Sequence, residues 1–220
     1  MGGVIAAGSA PDAVVLLGPT GAGKTPLGEL LERKGFVGRR CAHFDFGAWL
    51  RRAAGGEGAA FGLSEAQVAR VKQVLAEGAL LEDSEFPMAL ALLRAFEARL
   101  DRGADTLLVL NGLPRHAGQA RALEGIVNIR LVLVLDAADD VLLERIRSNV
   151  GGDRTGRNDD AESAVRARAA RYRARTAPLL DYYGSRGVKV IRYAVGPRAK
   201  PMDMLAEIER RVREEAGVKA

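Results

Sequence analysis

The residues best suited to chemistry lie together near the N-terminus, in the segment 18–25 (GPTGAGKT). Its pattern is two glycines separated by four residues and followed by Lys24 and Thr25, or G-x-x-x-x-G-K-[ST]. In such a loop, successive backbone N–H groups turn toward one phosphate, the lysine adds positive charge, and the hydroxyl is a ligand for Mg²⁺. The sequence therefore predicts a nucleoside triphosphate site, with Mg²⁺ at Thr25 and nucleotide contacts from Gly21, Ala22, Gly23, Lys24, Thr25 and Pro26.

The context of this motif supports the prediction. Residues 13–17 (AVVLL) form an unbroken apolar run that ends in Gly and Pro, which is typical of a strand buried on both faces of a parallel sheet. Leu27, Leu30 and Leu31 then recur at helical spacing. A strand before the loop and a helix after it place the loop at a helix N-terminus, where backbone N–H groups favour a bound phosphate.

Strand and helix patterns alternate along the rest of the chain, and residues 1–12 are predicted to be a flexible tail. The alternation predicts an α/β fold, a three-layer α/β/α domain with a five-stranded parallel sheet. We expect loops at 55–62 and 149–160. The other predicted strands are 40–44, 106–110, 129–135 and 188–193, and the predicted helices are 46–54, 64–77, 84–100, 115–123, 138–148, 159–183 and 202–216.

The composition excludes several classes of protein. The chain has 220 residues, 48% of them hydrophobic and 28% charged, which is typical of one globular domain. A single cysteine, Cys41, excludes an intrachain disulfide and a cysteine-cluster zinc site. No apolar stretch is long enough for a membrane span, and no signal-peptide pattern is visible. We therefore expect a soluble, cytoplasmic protein.

The net charge of +5 is carried mostly by arginine. Arginine suits two-pronged binding of phosphate oxygens, whereas a GC-rich genome would raise the arginine content without any functional cause. Nucleic acid, an acidic membrane surface and small phosphorylated substrates are all compatible with this balance. The positions of the arginines have to decide between them.

Four further motifs, in order along the chain, resemble those of adenylate kinases and the wider nucleoside monophosphate kinase family. They are residues 46–51 (FGAWLR), residues 111–115 (NGLPR) with Gln119 and Ala120 after them, residues 157–160 (RNDD) and residues 176–183 (TAPLLDYY). The resemblance extends from about residue 13 to about residue 193. It implies a single P-loop kinase domain over residues 13–220, with a helical acceptor-binding insert at about 42–80 and a short lid at about 149–158.

The family resemblance also implies an activity and a set of roles. The activity is transfer of the γ-phosphoryl group of ATP to a nucleoside monophosphate, with AMP as the first candidate and Mg²⁺ as the metal. The implied partners are small nucleotides rather than nucleic acid or membrane, and the protein is expected to be a monomer. The implied residues are Lys24, Arg115, Arg157 and Arg168 for catalysis, Arg145 stacked on the donor base, and Phe46, Gly47, Arg51, Gly112, Arg115 and Gln119 around the acceptor.

Three positions depart from the family pattern. Asn111 replaces an acidic residue that orients Mg²⁺ through water, Phe46 replaces a small hydroxyl residue, and Ala48 replaces a carboxylate. These changes keep two alternatives open. One is a kinase of the same fold that acts on another small acceptor, and the other is a nucleotide-binding or RNA-associated protein with weak or no transfer activity.

Overall fold

The computed structural model describes residues 10–100, 106–153 and 161–215. Five parallel strands form one sheet in the order β2-β3-β1-β4-β5, which confirms the predicted fold class. Because β1 lies in the middle, the loop that follows it opens at the centre of the carboxyl edge of the sheet. The strands are β1 Asp12–Leu17, β2 Cys41–Asp45, β3 Leu107–Asn111, β4 Asn128–Asp136 and β5 Lys189–Ala194.

Helices cover both faces of the sheet. Short π-helical or 3-10 turns lie at Ala53–Glu57, Ala59–Phe61, Asp83–Glu85 and Tyr172–Thr176. No helix in the described parts of the chain is both long and apolar enough to cross a membrane. The α-helices are α1 Lys24–Lys34, α2 Phe46–Arg52, α3 Glu65–Glu77, α4 Phe86–Glu97, α5 Ala117–Ala122, α6 Asp139–Ser148, α7 Glu162–Arg171, α8 Leu179–Gly184 and α9 Pro201–Glu215.

The core has two parts because successive residues of a strand point to opposite faces of the sheet. Val14 packs in a cluster with Leu27 of α1 and Met204 of α9. Val15 packs on the other face, in a cluster that includes Leu93 of α4. The three predicted layers are therefore present, and β1 is buried on both of its faces.

Residues 10–12 were predicted to belong to the flexible tail, but they contact the sheet. The Asn128 backbone N–H donates to the carbonyl of Pro11 at 2.8 Å, and the Asn128 side chain donates to the carbonyl of Ala10 at 2.7 Å. Asp12 is already the first residue of β1. Residues 1–9, which make up most of the predicted tail, lie outside the described residues.

The prediction of a loop at 55–62 is wrong. Short helical turns lie at Ala53–Glu57 and Ala59–Phe61, with a kink at Gly56, whose φ is +119°. The ring of Phe61 is buried, with its centroid 4.8 Å from that of Trp49. The many glycines of this segment suggested a loop. The burial of one aromatic side chain outweighs this local preference.

The single helix predicted over 159–183 is interrupted, as far as the described part of it shows. α7 ends at Arg171, a π-helical turn follows at Tyr172–Thr176, and α8 begins after Pro178. Proline has no N–H group for an intrahelical hydrogen bond, and its ring clashes with the preceding turn. Residues 159 and 160 lie outside the described residues.

Close packing of α1 against β2 gives a prediction for stability. A Cβ atom on Gly28 would lie 2.2 Å from Nε2 of His43, so Gly28→Ala should lower the free energy of unfolding by about 1–3 kcal/mol. The matched control is Gly184→Ala on α8, where a Cβ atom meets no heavy atom within 4 Å. Chemical denaturation followed by circular dichroism measures both variants. Equal stability of Gly28→Ala and the wild type would contradict the described packing.

Candidate active site

Three glycines of the phosphate-binding loop have positive φ angles, which other residues rarely adopt. The φ angles of Gly18, Gly21 and Gly23 are +150°, +91° and +98°. A Cβ atom on Gly18 would lie 2.6 Å from the carbonyl oxygen of Leu135, so the loop lies directly against β4. Helix α1 begins at Lys24, and its first backbone N–H groups lie at the end of this loop. This arrangement fits the phosphates of a nucleotide.

The Lys24 side chain folds back over the loop that precedes it. Its Nζ atom donates to the carbonyl oxygens of Gly18 at 2.6 Å and Pro19 at 2.8 Å. Both acceptors belong to the phosphate-binding loop. The ammonium group is therefore held beside the loop, where phosphate oxygens are the chemically natural partners of a lysine.

Three polar side chains meet next to Lys24, where β2, β3 and α1 come together. The Thr25 hydroxyl donates to Oδ2 of Asp45 at 2.7 Å. The Asn111 amide donates to the same Oδ2 at 3.1 Å and to Oγ1 of Thr25 at 3.0 Å. A hydroxyl and a carboxylate are oxygen ligands of the kind that Mg²⁺ takes, directly or through its waters. The site therefore fits the metal predicted at Thr25.

Asp45 is a site residue that the sequence reasoning missed. Burial alone would raise the pKa of its carboxyl group, but hydrogen bonds from Thr25 and from the Ala48 backbone, together with the nearby Arg51, lower that pKa below its usual value. Asp45 therefore stays ionised at neutral pH. The available signal was its position, because it ends an apolar strand at the edge where the phosphate loop also lies.

Arg115 is held from both its main chain and its side chain. Its Nε donates to the carbonyl of Gly112 at 2.8 Å, and its backbone N–H donates to Oε1 of Gln119 at 2.8 Å. Burial lowers the pKa of Arg115, and Asp45 opposes this effect. A guanidinium stays protonated at neutral pH nevertheless. Gly112 has a φ of +83°, and a Cβ atom there would lie 3.1 Å from Nη2 of Arg115.

Arg51 approaches the same place from α2. A Cβ atom on Gly47 would lie 3.3 Å both from Nη1 of Arg51 and from Oδ1 of Asp45. The absence of a side chain at Gly47 therefore provides space for both groups. The positive charge of Arg51 also lowers the pKa of Arg115, so the two guanidinium groups lie near each other. Arg51 and Arg115 thus line the same cleft as the phosphate loop.

Two adjoining clefts share Lys24 and Arg115. The first also contains Thr25, Arg51 and the Asp45–Asn111 pair. The second contains Arg168 and Arg171 of α7. Of the predicted residues, those that line one or both of these clefts are Gly21, Gly23, Lys24, Thr25, Gly47, Arg51, Gly112, Arg115 and Arg168.

Arg171 was not predicted as a site residue. It lies close enough to Arg115 to lower the pKa of that guanidinium, and its Nη1 donates to the carbonyl of Gly78. Because Arg171 follows Arg168 by three residues on α7, the two side chains share one face of that helix. This spacing is a signal that the sequence already contained.

Arg145 is buried and holds the phosphate loop in place. Its Nε donates to the carbonyl of Gly21 at 3.0 Å, and its Nη1 donates to the carbonyls of Gly196 and Ala199, both at 2.9 Å. It therefore ties the loop to the segment that follows β5. Stacking of its guanidinium plane on the donor base stays a prediction.

Gln119 and Phe46 are buried, whereas a side chain that contacts an acceptor base must be exposed in the cleft. Gln119 has no exposed surface, and its Nε2 donates to the carbonyl of Leu81 at 2.8 Å while its Oε1 accepts from Arg115. The ring of Phe46 belongs to the core, 6.0 Å from the ring of Phe44. Contact of either residue with an acceptor stays a prediction, and for Gln119 it would require exchange of these bonds.

The predicted lid is described only in part. Helix α6 ends at Ser148 and is capped by Asn149, which has a φ of +47°, and Asp153 lines the same cleft as Lys24. Arg157, predicted to act on the transferring group, falls within residues 154–160 and thus outside the described residues.

A parallel sheet with a phosphate loop at the end of its central strand, and with arginines facing that loop, defines a P-loop protein built for phosphoryl groups. The adenylate kinase family model matches residues 16–188. The adenylate kinase of Synechococcus sp. strain WH7803 is 36% identical over 183 residues, which cover 80% of this chain and 87% of the relative. That of Stenotrophomonas maltophilia strain R551-3 is 34% identical over 209 residues, covering 90% and 96%.

The chain belongs to the adenylate kinase family, and it is accordingly an ATP-dependent phosphotransferase. A structural comparison agrees on the fold. The crystal structure of TT1252 from Thermus thermophilus superposes with a TM-score of 0.52 at 18% sequence identity, covering 94% of this chain and 98% of that one.

Proposed function

We propose that this protein is a nucleoside monophosphate kinase that transfers the γ-phosphoryl group of ATP to AMP. The observation that carries the proposal is the convergence of Arg51 and Arg115 on the cleft that also contains Lys24 of the phosphate loop. The cleft is lined both by Lys24 of the phosphate loop and by two arginines that lie outside this loop. A donor and an acceptor that both carry phosphate match this distribution of charge.

In this proposal the side chains of the site bind and orient the two nucleotides, and none of them forms a covalent bond with the transferred phosphoryl group. Lys24 and the N–H groups of the loop hold the donor phosphates, while Arg51 and Arg115 hold the acceptor phosphate. Mg²⁺, when bound at Thr25, neutralises charge on the donor phosphates. No strong general base is needed, because an oxygen of the acceptor monophosphate is already anionic. Catalysis then depends on orientation and on electrostatic stabilisation of the transferring group.

Arg168 and Arg171 supply the remaining charge in this proposal. Both belong to α7 and line the adjoining cleft, which shares Lys24 and Arg115 with the cleft that contains Arg51. Arginines placed there stabilise negative charge that spreads over the transferring phosphoryl group. Arg157 has the same proposed role, which rests on the family motif alone. The functional unit is proposed to be a cytoplasmic monomer whose partners are small nucleotides.

A second candidate is a kinase of the same class that acts on another small acceptor. The burial of Phe46 and Gln119 favours it, because these positions then offer no polar edge to a purine base. Arg51 and Arg115 would still bind an acceptor phosphate. The two candidates therefore differ in the base, not in the chemistry of transfer.

A panel of acceptors tests the proposed function. Formation of ADP from ATP is measured in a coupled assay with AMP, GMP, CMP, UMP and dTMP, each with Mg²⁺. AMP is expected to give the highest kcat/KM. If all five acceptors gave no turnover while ATP binding by calorimetry was intact, nucleoside monophosphate kinase activity would be ruled out, and turnover with a different phosphorylated metabolite would support the second candidate.

A further inference from the structure

Asp45 uses its two carboxylate oxygens for different purposes. Oδ1 accepts from the Ala48 backbone N–H at 2.8 Å and so caps the N-terminus of α2. Oδ2 points to the phosphate loop, where it accepts from Thr25 at 2.7 Å and from Asn111 at 3.1 Å. A cap needs only one oxygen. The second oxygen is therefore available at the predicted metal position without loss of the helix cap.

The strand register explains why Asp45 reaches this position. Asp45 of β2 and Asn111 of β3 are direct partners in the parallel ladder, so their side chains leave the sheet at the same level. Asn111 carries no charge, whereas Asp45 is a carboxylate. Of the two neighbouring strand ends that face Thr25, the negative charge is thus on β2.

The other carboxylate among the described residues that line this cleft is Asp153. It belongs to the segment after α6, which is not part of the sheet. Asp45, by contrast, is fixed by the sheet, by the helix cap and by the hydroxyl that the P-loop pattern assigns to the metal. Rigid support of this kind is what orients ligands around a metal ion.

We propose that Asp45 is the carboxylate that holds Mg²⁺ and its waters at Thr25, in place of an acid at position 111. This inference rests on the proposed function, since it assumes that MgATP is the donor. Asn111 then acts as a positioning residue, because its amide donates both to Asp45 and to Thr25. In this site the negative charge at the metal is then supplied by β2 and not by β3.

The contribution of the metal to ATP binding tests this proposal without any acceptor. Calorimetry gives the Kd of ATP in excess EDTA and in excess Mg²⁺. The Kd in EDTA divided by the Kd in Mg²⁺ measures how much the metal strengthens ATP binding. In Asp45→Asn we expect this ratio to fall about tenfold, while the Kd in EDTA stays within about twofold of the wild type. Asparagine is also a good helix cap, so α2 should remain folded, and thermal unfolding checks this.

Two further variants make the test specific. The double variant Asp45→Asn with Asn111→Asp returns the carboxylate to β3 and should restore the ratio. Asp153→Asn removes the other carboxylate of the cleft and should leave the ratio unchanged. The proposal is overturned by a wild-type ratio near one, by an unchanged ratio in Asp45→Asn, by failure of the double variant to restore it, or by an equal loss in Asp153→Asn.

The outcome is also separable from that of the proposed function. If no nucleoside monophosphate is phosphorylated, the ratio in Asp45→Asn still reports on the metal site. If AMP is phosphorylated but the ratio does not change, the activity stands and the role of Asp45 is wrong.

Discussion

Replacement of Arg115 by alanine should lower kcat/KM for phosphoryl transfer by about 10³-fold, while the Kd of ATP changes by no more than about twofold. Arg115 lies between the two clefts, and its Nε is already oriented by the carbonyl of Gly112. Its loss removes one of the two arginines that are proposed to hold the acceptor phosphate and leaves the phosphate loop intact. Steady-state kinetics with AMP and calorimetry with ATP measure the two effects separately.

The matched control for Arg115 is Arg121→Ala. Arg121 is an exposed arginine on α5, the helix that follows Arg115 in the chain, and it does not line either cleft. Its kinetics should equal those of the wild type. Arg115→Lys should recover only a small part of the lost activity, because an ammonium cannot make two parallel hydrogen bonds to a phosphate. Near-normal kcat/KM in Arg115→Ala would show that acceptor phosphate binds elsewhere.

Lys24→Ala should reduce kcat by about 10³-fold and also weaken ATP binding, because the proposed mechanism has Lys24 contact the donor phosphates in both the ground state and the transition state. The present hydrogen bonds of Nζ to Gly18 and Pro19 are then exchanged for phosphate oxygens when ATP binds. Kinetics at saturating ATP isolate the effect on kcat.

Lys72→Ala is the control for this second variant, since Lys72 is exposed on α3 and far from the phosphate loop in the chain. It should leave both kcat and the Kd of ATP unchanged. If Lys24→Ala retained the kcat of the wild type, the loop would bind nucleotide without taking part in transfer, which is the behaviour expected of a nucleotide-binding protein with weak activity.

Local patterns predicted most of the fold, and they also predicted the phosphate-binding loop as one contiguous segment. The apolar run at 13–17 predicts a doubly buried strand because few other structures bury five consecutive residues, and Val14 and Val15 indeed face opposite halves of the core. The segment 18–25 is short and contiguous, so the sequence alone predicts that its backbone, Lys24 and Thr25 act together.

The group formed by Asp45, Asn111 and Thr25 could not be predicted in the same way. Its members are separated by up to 86 positions in the chain, and they meet only because β2 and β3 pair with Asp45 opposite Asn111. In the sequence alone, the presence of asparagine at position 111 instead of an acidic residue therefore indicated the loss of a negative charge from the site. The register of the sheet shows a carboxylate beside the same hydroxyl.

The acceptor half of the site shows a different limit. A motif match identifies Gln119 and Phe46 but contains no information about which way a side chain points. The tertiary packing decided this, since Leu81 accepts the Gln119 amide and the aromatic core surrounds Phe46. The same packing turned 55–62 into helical turns, where the burial of Phe61 outweighs the preference of glycine for loops.

The fate of the terminal phosphate of ATP tests the central claim most directly. ATP labelled with ³²P at the γ position is incubated with unlabelled AMP, Mg²⁺ and the protein, and the nucleotides are separated by chromatography. We predict that the label appears in ADP, and that Arg115→Ala suppresses this transfer while Arg121→Ala does not. Label that remained in ATP, or that was released as inorganic phosphate, would contradict the assignment of this cleft to transfer between ATP and a nucleoside monophosphate.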